Sequence, residues 1–143
     1  KSLIMSTPTH LAHKPITSVN DYRHHDGIYK DNTDAESLSV GIAQYNKNEI
    51  SAKVFRYSGS KWSRLSEELP LHRVFDLSTT ILKSILLSAG VASPATELHV
   101  HVESHEKLKL IVDFYKKNQI YIRPKLQELQ MVLNYFMQEE SQL

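Results

Sequence analysis

The chain has 143 residues, 41% of them hydrophobic and 23% charged, with a formal net charge of +1 at pH 7 and no cysteine. That length suits one domain with its own core, and the near-average composition argues against disorder or a fibrous repeat. Lack of cysteine removes disulfides, thiolate metal sites and cysteine nucleophiles, and a charge this close to neutral does not advertise duplex nucleic acid, so any anion site has to be a local patch.

No apolar run approaches the roughly 20 residues of a membrane span. The first residues lack the apolar stretch of a secretory signal, Met5 fits a native start, and a soluble cytoplasmic protein is expected. Residues 1–36 are polar, broken by Pro8 and Pro15, and carry His10, His13, His24 and His25, which predicts an extended N-terminal arm. Residues 37–143 are read as a single domain. There Leu38, Val40 and Ile42 alternate with Ser39 and Gly41, and Ile50, Ala52 and Val54 alternate with Ser51, Lys53 and Phe55. A period of two predicts paired strands, with Asn46, Lys47 and Asn48 as the turn. Ser58-Gly59-Ser60 predicts a second hairpin, leading into a third strand over Lys61 to Leu65.

The period then changes. Leu71, Val74, Phe75, Ser78, Ile81, Leu82 and Ile85 recur at helical spacing between Pro70, a residue suited to a helix start, and Gly90, suited to a helix stop. Leu98, Val100 and Val102 alternate with His99, His101 and Glu103, which predicts a fourth strand. After Ser104, a helical stripe of Leu108, Ile111, Val112 and Tyr115 reaches Asn118; Leu126, Leu129, Val132, Leu133 and Phe136 form another, with Pro124 expected to divide the two. The fold class is therefore α+β, an antiparallel sheet of about four strands packed on one face by two to three helices. The other sheet face, or the last helix with its apolar Met131, Leu133, Phe136 and Met137, is then available for self-association, and a symmetric homo-oligomer, a dimer or higher, is expected.

Chemistry-bearing residues are densest between Arg56 and Asp76. Guanidinium groups bind phosphate bidentately and an indole offers a stacking face, so Arg56, Lys61, Trp62, Arg64, His72 and Arg73 are candidate ligands for a small anionic nucleotide, with Arg123 as a second-rank addition. The plainer reading of the same residues is a cation–π pair on a solvated strand. Glu68, His72 and Asp76 share the spacing of one helix face, which would let a carboxylate orient the imidazole, but no nucleophile motif accompanies them. His99 and His101 would project from one strand face yet lack a placed third metal ligand. No catalytic residue, metal or cofactor is called for.

The segments KWSRLSEELPLHRVFDL (Lys61 to Leu77), DAESLSVGIAQYN (Asp34 to Asn46) and SAKVFRY resemble a family of small bacterial and phage proteins of unknown function, over about Thr7 to Leu86. The size, strand-rich front and helical end are also similar to those of the phage anti-Thoeris sponge proteins, oligomers that sequester cyclic ADP-ribose signals without cleaving them. This resemblance implies capture of a cyclic ADP-ribose-type or cyclic oligonucleotide signal in a bacterial host cell; it carries no site residue over. The competing readings are a metal- or histidine-dependent nucleotide hydrolase built on His72, His99, His101 and Glu68, and a protein-interaction module presenting the last helix.

Overall fold

A computed structural model describes residues 5–65 and 67–143. The chain divides into two compact units, Lys1–Ile81 and Leu82–Leu143, with the boundary inside one helix.

The first unit is a five-stranded antiparallel sheet: β1 (Lys14–Val19), β2 (Ala35–Ile42), β3 (Ile50–Ser58), β4 (Lys61–Trp62) and β5 (Glu67–Pro70). β3 is the hub. It pairs with β2 along one edge, Leu38 opposite Val54 and Val40 opposite Ala52. Its other edge is shared between β4, Tyr57 opposite Trp62, and β5, Lys53 opposite Glu68. Gly59, at φ 72°, makes the β3–β4 turn, a conformation that costs glycine nothing. The third expected strand is thus cut to Lys61–Trp62, and Glu68, expected to share a helix face with His72 and Asp76, lies on a strand.

Within the expected arm, residues 14–19 form β1 and pair with β2, with a register shift between Pro15 and Thr17. The arm also brings Leu11 and His13 to full burial. They cover the sheet face that carries Ser37, Ser39, Ser51, Lys53 and Phe55, all buried. The opposite, apolar face of Leu38, Val40, Ala52, Val54 and Leu69 is left half-open, and with Val19 and Val74 it walls a hollow of about 620 Å³.

Helix α1 (Leu71–Ser88) begins directly after Pro70 and ends before Gly90, which adopts φ 73° as a left-handed helix terminator. In the second unit, α2 (Lys109–Lys117) and α3 (Gln119–Glu139) follow, then a short 3₁₀ turn over Glu140–Gln142. Residues 98–103 form no strand. The Leu98 carbonyl accepts the Lys83 ammonium at 2.7 Å, and among the described residues no strand pairs with the segment. Ser88 ties α1 to α2, its hydroxyl donating to the Leu108 carbonyl and accepting the Val112 N–H. The break between α2 and α3 falls at Asn118, whose backbone and side-chain N–H groups both donate to the Phe114 carbonyl. Pro124 lies inside α3, near its start, where its missing N–H and ring disturb only the first turns.

Candidate functional site

Arg56 leaves β3 on the face opposite Tyr57, because successive strand residues alternate. Its guanidinium is gripped from both sides: Nη1–H donates to Asp34 and Nε–H donates to Glu67. Those bonds, Glu67 first and Asp34 next, hold the Arg56 pKa above its ordinary value, so the group is a fixed cation at any pH of interest. Asp34 is placed for this by the pairing of Ala35 with Arg56, and Glu67 by the pairing of β5 with β3.

Around this clamp lies a polar recess of about 560 Å³, lined by Tyr22, Asp26, Tyr29, Asn32, Thr33, Asp34, Val54, Arg56 and Glu67. Two short 3₁₀ turns, Tyr22–His24 and Gly27–Tyr29, supply the aromatic and acidic wall. Tyr22 is hydrogen-bonded to Asp26, and burial together with that carboxylate pushes its phenol pKa up. Tyr29 is 59% exposed. Three carboxylates against one guanidinium leave the recess net negative. It therefore suits a ligand rich in hydroxyl or amino donors more than a bare phosphate.

The other expected site residues are dispersed. Trp62 is half-buried on the opposite side of the hairpin from Arg56, edge-on to Tyr57 (centroids 5.1 Å apart) and Phe55 (6.0 Å). Its indole is part of the packing of the buried face. Lys61 is exposed at the β3–β4 turn. Arg64 is exposed just beyond β4, next to Ser63, whose N–H donates to the Arg56 carbonyl at 2.8 Å. His72 and Arg73 are exposed in the first turn of α1, with Arg73 within electrostatic reach of Tyr45. Arg123 is exposed on α3, in the second unit.

Glu68 does not orient His72. Its Oε2 accepts the Gln44 N–H at 2.8 Å and the Ser51 hydroxyl at 2.9 Å, and its Oε1 lies 3.7 Å from His13 Nδ1. His13 in turn bridges Ser51 through Nδ1 and Ser39 through Nε2, each at 3.0 Å. A serine, an imidazole and a carboxylate in sequence resemble nucleophilic machinery. Here His13 and Ser51 have no exposed surface and Ser39 has 3%, so no substrate reaches them and the network is structural. Burial, the largest influence, lowers the His13 pKa despite Glu68, and burial likewise lowers that of Lys53 beside it. Among the described residues no group of three His, Asp or Glu side chains is placed to hold a metal ion, and His99 and His101 are exposed on an irregular segment.

Sequence reasoning missed most of the recess. The signal was present in the run Tyr22 to Asp34, where two tyrosines, three aspartates and Asn32 and Thr33 are crowded into one irregular stretch.

No helix among the described residues is long and apolar enough to cross a membrane. The family model described as "Family of unknown function (DUF6530)" matches residues 5–138. No curated protein and no solved structure matches the chain.

Proposed function

We propose that this chain, which belongs to the DUF6530 family, is a non-catalytic binder that captures a small nucleotide by its base and sugar in the Arg56 recess. The observation that carries this reading is the clamp itself: a guanidinium fixed between Asp34 and Glu67 in a recess that Tyr29 also lines. Carboxylates already held in place accept ribose hydroxyls without reorganising, a tyrosine face stacks a base, and the remaining Arg56 N–H groups donate to ring or carbonyl acceptors. The phosphate of such a ligand is excluded from the acidic recess and meets Arg64, the exposed cation nearest in sequence to the Ser63 tie on Arg56. With no nucleophile motif in the chain, and with Asp34 and Glu67 already engaged by Arg56, sequestration of an intact signal is favoured, of the cyclic ADP-ribose or cyclic oligonucleotide type, and the resemblance to sponge proteins supports a use in phage counter-defence.

The test is calorimetric titration of the full chain with adenosine, AMP, cyclic ADP-ribose and a cyclic dinucleotide, with mass spectrometry of what is recovered afterwards. Tyr29→Ala should weaken every ligand by about tenfold or more, as expected for a lost base stack. Arg64→Ala should weaken the phosphorylated ligands and leave adenosine unchanged. Failure of the whole panel to bind, or recovery of cleaved ligand, refutes the reading.

A further inference from the structure

Helix α3 carries no buried residue, yet it is not built as a solvated helix. From Leu126 to Gln138 its only charged side chain is Glu128. Ile122, Leu126, Leu129, Leu133 and Phe136 recur at alternating four- and three-residue spacing, the stripe of a helix that packs along another helix. Leu129 and Phe136 are 47% exposed and Leu133 is 51% exposed. Met131, expected with them as an association residue, falls on the opposite face.

The charges at the two ends identify what covers the stripe. The helix has Arg123 and Lys125 near its start and Glu139 and Glu140 at its end, no acid in its first turn and no base in its last. This is the reverse of what the helix dipole of an isolated helix favours. It is the arrangement that an antiparallel copy of the same helix satisfies, because each basic start then lies against an acidic end. Lys125, Val132 and Glu139 are spaced by whole heptads along one flank of the stripe.

We propose that α3 is a dimer interface, pairing antiparallel with α3 of a second copy about a two-fold axis near Val132. Leu126 then meets the partner's Phe136, Leu129 meets the partner's Leu133, and Lys125 faces the partner's Glu139, each contact occurring twice by symmetry. The pairing is independent of the nucleotide recess, which lies wholly in the first unit.

The test is sedimentation equilibrium of the full chain across the micromolar range. Wild type should sediment at twice 16.4 kDa. Lys125→Glu and Glu139→Lys should each raise the dimer dissociation constant by about tenfold or more, since each creates two like-charge contacts per dimer. The double variant K125E/E139K should recover wild-type association; in a parallel pair residues 125 and 139 never face each other, so no single-variant loss would be there to recover. Circular dichroism checks that these surface changes leave the helices folded, and Leu129→Asp with Leu133→Asp should give a monomer. A wild-type monomer, or a dimer in which the single and double charge variants behave alike, overturns the proposal.

Discussion

At position 13 an imidazole occupies a place where a hydrophobic side chain would ordinarily sit. His13 has no solvent exposure and spans two strands by bonding Ser39 of β2 and Ser51 of β3 at once. It is therefore the tie between the N-terminal segment and the sheet. His13→Ala removes the partner of two buried hydroxyls and leaves a void, and should cost about 2–4 kcal/mol in urea unfolding. The pH dependence has a definite sign. Burial lowers the folded-state pKa below the unfolded value of about 6.5, so the unfolded chain takes up the proton first as pH falls. The contribution of neutral His13 is thus complete above about pH 6.5 and is lost as pH drops through the folded pKa, at no more than about 1.4 kcal/mol per pH unit for one proton. Unfolding curves between about pH 7 and about pH 5 should show this slope in wild type and a shallower one in His13→Ala; equal slopes would mean that His13 titrates normally in the folded chain.

Among the elements, β1 depends on a single missing side chain. Gly41 lies where a Cβ would come within 2.8 Å of the Lys14 carbonyl carbon and the Pro15 Cα, both backbone atoms that cannot swing aside. Gly41→Ala should therefore push β1 off the sheet edge, destabilise the protein by about 1–3 kcal/mol, and speed amide hydrogen exchange at Ser18 and Val19 while β3 stays protected. Unchanged exchange in β1 would show that the edge absorbs the methyl group. The strand itself was not legible in the sequence, because Lys14 to Val19 leaves Ile16 exposed and has no apolar alternation to announce it. Helix α1 was legible to within two residues, since Pro70, Gly90 and the apolar spacing all agree on it. For β2 and β3 the alternation indicates two strands joined at Asn46 to Asn48 but not which face is covered. Ser37, Ser39 and Ser51 are the buried set, and only the covering residues Leu11 and His13, far upstream, explain why. Leu98 to Val102 shows the converse, a strand pattern that pairs with no strand among the described residues, because β-propensity takes effect only where a sheet is joined. The site divides in the same way: Arg56 could be picked out by its charge, while its partner Asp34 lies 22 residues away and is brought to it only by the β2–β3 register.

For the whole molecule, the question is what completes the packing. Among the described residues the buried hydrophobic side chains are Leu11, Ala35, Ala43, Phe55 and Val112, two of them alanines. A chain of this length ordinarily buries about 68–70% of the surface of its unfolded form, and so few buried large side chains fall short of the hydrophobic burial that folding requires. The second unit is the more deprived, with Val112 as its one member of that set and helices whose Leu110, Phe114, Leu133 and Phe136 all face outward. If α3 pairs as proposed, association supplies its stability, and association is concentration-dependent. Heating monitored by the helical circular dichroism signal should show a midpoint that falls by about 2–4 °C for each tenfold dilution, the response of a dimer that unfolds to two chains. In the Lys125→Glu variant the whole series should shift downward, and in K125E/E139K it should return to the wild-type line. A midpoint independent of concentration over a hundredfold range would mean that each chain completes its own core, with the α3 stripe turned inward in solution.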